Sequence, residues 1–249
     1  MKIATWNVNG IRARHTQLLE WVHRDQPDVL CLQELKARPE QVPETVCNLE
    51  GYSCYWHGAA AYSGVGLHIR TAAFQEAPKF SHPEFDHETR IVQAEIGDLV
   101  VASVYVPNGG KDYPAKLAFM NAMERYTAMM EKSGKTLVLC GDMNVARTDR
   151  DVHPKERKPN IIGQRGEERE LFEKIIGNGM VDVGRALDPD NENYFTWWAP
   201  WRNLRERNIG WRLDYVLAST SLADRAVSCP VLADVGTSDH GPVMATFRP

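Results

Sequence analysis

The sequence predicts an α/β fold in which two mixed β-sheets pack face to face and helices cover their outer faces. Three observations support this prediction. Short apolar runs rich in β-branched residues recur along the chain, helical periodicity appears between only some of them, and no repeat or low-complexity linker interrupts the pattern. With 249 residues, the chain suits one large domain over residues 1–249 that buries a sizeable core without disulfides.

Several runs have the length, the apolar character and the flanking Gly, Pro or Asp that are typical of buried strands. In chain order they cover residues 2–8, 28–33, 64–69, 91–96, 99–106, 135–140, 213–217 and 243–247. Because these strands outnumber the helices and do not strictly alternate with them, mixed sheets are favoured.

Two helices are predicted between the strands. One carries an apolar stripe at four-three-four spacing, which we interpret as core packing, and Gly134 is its expected C-cap. The stripe consists of Phe119, Met123, Tyr126 and Met130. The other helix begins near Glu167 and ends at Gly177, with acidic residues near the positive end of its dipole.

Residues 145–166 show neither helical nor strand periodicity, and connections of this length are usually functional or disordered. The segment is rich in basic residues, which we interpret as candidate phosphate contacts; the alternative is a solvated loop. Interleaved acids weaken its positive field. The basic residues are Arg147, Arg150, Lys155, Arg157, Lys158 and Arg165.

The net charge bears on the partner of the protein, and the cysteines bear on its cellular compartment. The net charge is -4, from 29 basic and 33 acidic residues, which argues mildly against nucleic acid as the partner, although a local positive face suffices for DNA. The five cysteines form no CxxC pair and indicate a reducing compartment. The N-terminus lacks the apolar region of a secretory signal, and no run has the ~18 apolar residues of a membrane span. We therefore expect a cytoplasmic protein with no membrane association.

Polar clusters lie at the ends of predicted strands, at residues 7–10, 33–36, 141–144 and 238–242. Asp214 lies inside an apolar run, where a carboxylate needs a partner to offset its desolvation. Because strand ends converge in space, these clusters can form one polar pocket. Its members are Asn7, Asn9, Glu34, Tyr105, Asp142, Asn144, Asp214, Asp239 and His240.

The composition of this pocket predicts hydrolysis of a phosphate ester. Carboxylate and amide oxygens suit a hard cation such as Mg²⁺. One histidine with several acids and such a cation fits attack by an activated water. The sequence has no Cys/His set at zinc spacing, no Walker-type loop and no GxSxG elbow.

The ordered motifs resemble those of the exonuclease III type of apurinic/apyrimidinic endonuclease, within the endonuclease/exonuclease/phosphatase superfamily. They are WNVNGIRA, LQELK, YSGVG, VYVPNG, GDMNVA, FTWW, GWRLDY and SDHGP, and the resemblance runs from Ile3 to about Phe247. It implies a four-layer α/β sandwich with the active site at one edge. It also implies a monomeric enzyme that uses Mg²⁺, for which Mn²⁺ can substitute. The expected substrate is double-stranded DNA with abasic sites, cut on their 5′ side, or with 3′ blocking groups. Exonuclease (3′–5′) and 3′-phosphatase activities are expected beside it.

The resemblance also implies roles for the pocket residues. Glu34 is the expected principal Mg²⁺ ligand with Asn9 nearby, Asn7 positions the metal and the catalytic carboxylate, and Asp239 helps a second metal position. Asp142 is the expected acid/base that activates water or protonates the leaving oxygen. Asn144 and Tyr105 are the expected donors to the phosphate. Asp214 is expected to orient His240.

Substrate binding is assigned to an aromatic and basic region. Four tryptophans crowd among arginines within residues 197–212, a composition that suits a distorted DNA backbone; Trp198 is expected to be a core residue. By resemblance, Trp197, Trp211 and Leu213 line a small apolar pocket that accepts the bare sugar and excludes a base. Substrate binding is also expected of Tyr62, Arg90, Asn108 and Arg212.

Other functions stay open at this stage. A family member specialised for 3′ ends would act as an exonuclease or phosphatase with the same residues. A superfamily phosphoesterase acting on inositol phosphates or sphingomyelin would share the metal and His240 but would not need residues 197–212. A non-catalytic DNA-binding module is disfavoured because every expected catalytic position is filled. Residues 14–17 and 163–169 depart from the pattern of many relatives, which leaves substrate preference open.

Overall fold

The computed structural model describes residues 1–59, 62–158 and 160–249. Eight of the twelve strands that it describes lie close to the predicted runs. The twelve strands are β1 (Lys2–Asn7), β2 (Val29–Gln33), β3 (Tyr52–Ala59), β4 (Tyr62–Arg70), β5 (Lys79–Ser81), β6 (Ile91–Ile96), β7 (Leu99–Tyr105), β8 (Thr136–Asp142), β9 (Met180–Asp182), β10 (Asp214–Ser219), β11 (Ala226–Ser228) and β12 (Val243–Phe247).

Besides four three-residue 3₁₀ helices, the described residues form six α-helices. They are α1 (Ile11–Asp25), α2 (Glu44–Cys47), α3 (Tyr113–Ser133), α4 (Gly166–Gly177), α5 (Val183–Leu187) and α6 (Thr220–Ala223). Helix α3 ends as predicted, because Gly134 adopts the left-handed conformation (φ 73°) and its N–H bonds to the carbonyl of Glu131. Among these residues no helix has the length and apolar character that crossing a membrane requires.

The strands form two sheets of six, in the orders β11-β12-β1-β2-β4-β3 and β5-β6-β7-β8-β10-β9. Both sheets are mixed: β1 runs parallel to β2, and β7 parallel to β8, whereas the neighbouring pairs are antiparallel. The apolar cluster between the sheets contains Val29, Val65, Val92, Val138 and Val216.

Helices cover the two outer faces. On the first sheet, Leu18 and Trp21 of α1 pack against Leu30 and Leu32 of β2. On the second sheet, the predicted stripe of α3 packs with Phe172 of α4 against the outward side chains of β7 and β8. The layers are therefore helix, sheet, sheet and helix, and the predicted four-layer sandwich is confirmed.

Helix α1 and strand β3 are the longest described elements that the sequence prediction missed; it also missed α2, α5, α6, β5, β9 and β11. Helix α1 begins after Gly10 without a side-chain cap and carries only four buried residues, Ile11, Leu18, Trp21 and Val22. Strand β3 is half-buried on both faces and shows no alternation of buried and exposed residues. Strand β3 therefore lacks the alternation that predicts a strand, whereas the buried residues of α1 lie on one helical face, a periodicity that the sequence prediction missed.

The strand directions bring the polar clusters to one edge of the sandwich. Parallel β1 and β2 end together, with Asn7 beside Gln33, and parallel β7 and β8 end together, with Tyr105 beside Asp142. Strand β10 runs the other way, so that its first residue, Asp214, pairs with Asp142. Distant polar residues are thereby assembled where the two sheets face each other.

Candidate active site

Asn7 connects the carboxylates at the centre of the cluster. Its buried amide nitrogen lies 2.9 Å from Oδ2 of Asp142 and 3.0 Å from Oε2 of Glu34. Both acceptors are carboxylate oxygens, so Asn7 ties an acid of the second sheet to an acid of the first. The Asn7 side chain is in turn fixed by its own oxygen, which accepts the backbone N–H of Asn9 at 3.0 Å.

The backbone is strained where the strands end. Asn9, Glu34 and Asn144 have φ values of 45°, 56° and 51°. Residues with side chains rarely adopt this left-handed region, and its use costs about 1–3 kcal/mol at each position. The strain coincides with the abrupt turns that follow β1, β2 and β8, where it directs polar side chains into the cluster.

His240 is held by Asp214 within the buried part of the site. Its Nδ1 lies 2.8 Å from Oδ2 of Asp214, and this oxygen also accepts the hydroxyl of Thr196 at 2.6 Å. The Nε2 on the other side of the ring lies 3.8 Å from Oδ2 of Asp142. Asp214 Oδ1 is buried and has no hydrogen-bond partner among the described residues.

The pKa values of Asp142 and His240 are both raised, which suits Asp142 to proton transfer and His240 to carrying a positive charge. Burial, together with the negative charge of Asp214, raises the pKa of Asp142 to about 7, against the opposing effect of His240. Burial lowers the pKa of His240, but Asp214 and Asp142 outweigh it and raise that pKa to about 10. At neutral pH the imidazole is therefore a cation, and Asp142 can exchange a proton.

The donor set beside these residues fits a hard cation. Lys36 Nζ lies 2.7 Å from Oε1 of Glu34 and 2.6 Å from Oδ1 of Asn9. The two oxygens thus converge on one positive charge. Asn9 also donates to Oδ1 of Asp239 at 2.7 Å, and the pKa of Asp239 is lowered, because His240 and its hydrogen bonds offset its burial. Carboxylate and amide oxygens are ligands that Mg²⁺ prefers.

Three residues that were assigned to phosphate or substrate contacts, Asn144, Asn108 and Tyr105, lie beside these acids. Asn144 Nδ2 bonds to the carbonyl of Val106 at 2.8 Å, and Asn108 Nδ2 lies 3.3 Å from Oδ1 of Asn144. Burial raises the pKa of Tyr105 far above its usual range, so its hydroxyl keeps its proton. The Arg90 guanidinium stacks over the Tyr105 ring at 4.8 Å.

A cavity of about 560 Å³ opens onto the catalytic cluster. One wall is polar and includes Glu34, Asp142 and His240; the other is largely apolar and includes Trp211 and Leu213. Trp197 forms part of the same wall, packs edge-to-face on Trp211 at 5.7 Å, and donates its Nε1 to Asp239 at 3.0 Å. The segment after Pro159 adds Ile161, Ile162 and Gly163 to the lining.

A second cavity of about 310 Å³ is lined by three of the residues assigned to substrate binding, Tyr62, Arg90 and Asn108. Arg90 donates to the Tyr62 hydroxyl at 2.8 Å, and Lys111 Nζ lies 5.6 Å from the Tyr62 ring. Tyr105 and Asn108 line both cavities. The two cavities are therefore adjacent. Arg90 is 2 % exposed and pairs with Glu88 at 3.0 Å, whereas Lys111 is an exposed cation in the lining of the second cavity.

The assignment of Arg212 to substrate binding is corrected by the structure. The side chain is 1 % exposed and makes two bonds to Asp182, at 2.8 and 2.6 Å, and one to Asp151 at 2.8 Å. These buried partners occupy the guanidinium, and Arg212 does not line the cavity. Trp198, by contrast, is buried as predicted, and its Nε1 donates to Asn208.

The basic 145–166 segment divides into paired and exposed residues. Arg147 binds Glu173 and Asp182, Arg150 binds Asp190, and Arg157 donates to backbone carbonyls. Lys155 and Lys158 are exposed and make no ion pair within the described part of the chain. Arg165 donates to the carbonyl of Asn160 and lies over the Tyr113 ring. Within the described part of the segment, Lys155 and Lys158 can therefore meet a phosphate without first breaking a side-chain interaction.

The sequence analysis missed two hydroxyl residues, Thr196 and Ser238, that hold predicted site residues in place. Thr196 accepts the N–H groups of Leu213 and Asp214 at 2.9 and 3.0 Å while it donates to the Asp214 carboxylate. Ser238 donates to the Asn7 carbonyl at 2.7 Å. A hydroxyl near a strand end is common in any sequence, so only the fold distinguishes these two.

Fold and site together define a hydrolytic centre of acids, amides and one histidine at the edge of a four-layer sandwich. Residues 4–240 match the Endonuclease/Exonuclease/phosphatase family, and the chain therefore belongs to that family. It is 34 % identical over 252 residues to the exodeoxyribonuclease of Bacillus subtilis (strain 168), covering 98 % of each chain. It is 32 % identical to Recombination repair protein 1 of Drosophila melanogaster, of whose length it covers only 37 %.

Solved structures agree with these sequence matches. An AP endonuclease from Archaeoglobus fulgidus superimposes with a TM-score of 0.87 at 32 % identity, over 100 % of both chains. The 3′-5′ exonuclease NExo from Neisseria meningitidis superimposes with a TM-score of 0.90 at 29 % identity, over 99 % of both. The predicted exonuclease III-type resemblance, and with it the class of a hydrolytic repair nuclease, is confirmed.

Proposed function

We propose that the chain is a Mg²⁺-dependent phosphodiesterase that cuts duplex DNA on the 5′ side of abasic sites, with 3′–5′ exonuclease and 3′-phosphatase activity beside it. One observation carries the proposal: an apolar wall formed by Trp197, Trp211 and Leu213 faces the Asp142–His240 pair across a single cavity. A flipped sugar without a base fits such a wall, and its phosphate then lies beside the acids.

Asp142 is the proposed acid/base. Its pKa of about 7 lies near the operating pH, where a group can both accept and donate a proton. The Asn7 amide at 2.9 Å holds Oδ2 in place, and the backbone N–H of Asn144 holds Oδ1 at 2.9 Å. The carboxyl group is thus positioned to take a proton from an attacking water or to give one to the leaving oxygen.

His240 is the proposed electrostatic partner of the phosphate. Its imidazolium form, stabilised by Asp214, turns Nε2 towards the cavity. A fixed N–H donor in a buried site stabilises the negative charge that develops on phosphate oxygens more strongly than water does. We expect Tyr105 and Asn144 to donate to the same group.

Mg²⁺ would be held by Glu34 and Asn9, with Asn7 and Asp239 beside them, where the Lys36 ammonium now meets the same oxygens. When bound, the cation supplies charge neutralisation at the phosphate. Activity should therefore disappear with excess EDTA and return with Mg²⁺ or Mn²⁺. Glu34→Ala should raise the Mg²⁺ concentration required or abolish cutting. Full wild-type activity in excess EDTA would contradict metal dependence.

The substrate is tested by cutting of two matched duplexes, one with an internal abasic analogue and one with a 3′-phosphate. We expect incision at the internal site to dominate. A 3′-end specialist is the second candidate, because the fold is also similar to NExo, whose structure as a 3′ phosphatase bound to product DNA hairpin gives a TM-score of 0.90. Dominant phosphate release without internal incision would favour that candidate. A monomeric state and a cytoplasmic location accompany the proposal as predictions from the sequence.

A further inference from the structure

A second group of metal-binding side chains lies outside the active site. It consists of His57, His82 and Asp86, and one ligand atom from each lies within 4.8 Å of the other two. His57 belongs to β3, the edge strand of the first sheet, and His82 follows β5, the edge strand of the second. The group therefore bridges the two sheets at their free edge, and it shares no residue with the catalytic cluster.

The geometry of this group is ordered by its neighbours. The rings of His57 and His82 stack with centroids 3.9 Å apart and an interplanar angle of 20°. The stacked pair Tyr55 and Phe80, with centroids 5.2 Å apart, flanks it on the same two strands. Two histidines are thus brought to one point by the packing of edge strands from different sheets.

Asp86 is fixed with one oxygen pointing at the imidazoles. Its Oδ1 accepts the backbone N–H groups of Arg90 and Ile91 at 2.8 and 3.0 Å. Its Oδ2 lies 2.6 Å from Nε2 of His57. Bonds to the outer oxygen are the arrangement that orients ligating carboxylates in metal sites. A hydrogen bond from His57 to Asp86 is the alternative explanation of the short contact, and saturable metal binding distinguishes the two.

The ligand chemistry selects the ion. Two imidazole nitrogens and one carboxylate oxygen suit Zn²⁺ and its late first-row neighbours, whereas Mg²⁺ prefers oxygen ligands alone. The exposure of His82 leaves room for water to complete the coordination. A site of this composition would therefore remain selective for Zn²⁺ in the presence of the proposed catalytic ion.

We propose that His57, His82 and Asp86 form a second metal site that binds Zn²⁺ or a similar late first-row divalent ion and joins the two sheet edges. The ion is a structural clamp. It links β3 to the connection between β5 and β6, and Asp86 carries its effect to the backbone of Arg90, whose side chain lies over Tyr105.

The test uses the full-length, tag-free protein with Mg²⁺ in large excess and Co²⁺ as a spectroscopic probe. All variants carry Asp142→Asn, which weakens the competing catalytic group of Asp142, Asp214 and His240. We expect saturable Co²⁺ absorption in this parent, its loss in His82→Gln and in His57→Gln, and its retention in His23→Gln, a matched change of an exposed histidine on α1. Retention of the absorption by either cluster variant would overturn the proposal, as would the absence of saturable binding by the parent.

Thermal unfolding gives a second readout. A ligand that binds only the folded state at a hundred-fold excess over its Kd raises the Tm of a domain of this size by about 5–10 °C. Zn²⁺ should produce this rise in the Asp142→Asn parent and in its His23→Gln derivative but not in its His82→Gln derivative. Because His82 is exposed, its replacement leaves the fold intact, so an equal rise in all three would place the Zn²⁺ elsewhere and refute the clamp.

Discussion

Asp214 and His240 meet across the two sheets, with Oδ2 of the acid 2.8 Å from Nδ1 of the imidazole. Asp214 opens β10 in the second sheet, and His240 lies just before β12 in the first. The pair therefore exists only when the sandwich is closed. It also decides that the remaining ring nitrogen, Nε2, faces Asp142 and the cavity.

Asp214→Asn should remove the partner that keeps His240 cationic. The pKa of His240 would fall from about 10 towards or below neutrality, because burial then acts unopposed by the nearest carboxylate. We expect a rate loss on the order of 10²–10⁴ and partial recovery as the pH is lowered. A pH–rate profile measures this. Thr196→Val, which keeps the carboxylate but removes its 2.6 Å hydrogen bond, should show a smaller loss; equal rates in Asp214→Asn and wild type would assign Asp214 to packing alone.

Asp142→Asn separates the chemical step from DNA binding. The amide keeps the shape of the side chain and removes its capacity for proton transfer, so the rate should fall by roughly 10²–10⁴-fold. DNA affinity should hold or rise, because a negative charge near the phosphate is removed. Single-turnover cutting and equilibrium binding to an abasic duplex measure the two quantities. Near-normal turnover would show that another group transfers the proton.

Trp211→Ala should weaken the selection of abasic sites. Trp211 forms the apolar wall of the cavity, with Gly163 closely packed against its ring. The smaller side chain would contact the bare sugar less well, so the rate of cutting at abasic sites should fall. It would also admit an intact nucleotide, so the ratio of the abasic rate to the intact rate should fall as well. Trp201→Ala is the comparison, because Trp201 is exposed and lies outside this cavity, and its ratio should stay unchanged. Equal losses on both substrates in Trp211→Ala would mark Trp211 as a core residue.

Lys155 and Lys158 should account for the DNA contacts of the 145–166 segment. Neutralising a true phosphate contact lowers the slope of log affinity against log salt concentration by about one unit. We expect that change for Lys155→Gln and Lys158→Gln. Arg147→Gln should instead lower the free energy of unfolding, because it leaves Asp182 and Glu173 without this partner. An unchanged slope in the double lysine variant would support a solvated loop.

His68 should make the protein less stable in mild acid. The ring is 1 % exposed, and burial lowers its pKa to about 3, against about 6.5 in the unfolded chain. Between these values the unfolded state binds the extra proton, so stability is full above pH ~6.5 and falls by about 1.4 kcal/mol per pH unit below it. Between pH 7 and pH 5 the free energy of unfolding, measured with denaturant, should therefore fall by about 2 kcal/mol less in His68→Leu than in the wild type. The same pH dependence in both proteins would mean that His68 is protonated in the folded state.

Local sequence patterns were enough to predict the principal strands, the stripe of α3 and the polar residues that follow each strand. The reason is that the alternation of a strand, the period of a helix and the chemistry of a turn are encoded within a few neighbouring residues. Asp142 and His240 were selected as members of polar clusters at the ends of predicted strands, and their individual roles followed from the family resemblance. The half-buried β3 carries no such local signal, whereas the buried residues of α1 do lie on one helical face and were missed.

Only the tertiary structure decided which polar groups meet. Arg212 looked like a DNA ligand beside Trp211, yet Asp182 and Asp151, which lie 30 and 61 residues away in the chain, surround it. Lys36 between Glu34 and Asn9, and Thr196 beneath Asp214, have equally ordinary sequence contexts. A buried charge requires a partner, but the partner can come from any strand that ends nearby; the closing of two sheets on each other therefore determined these pairs, and no single segment could.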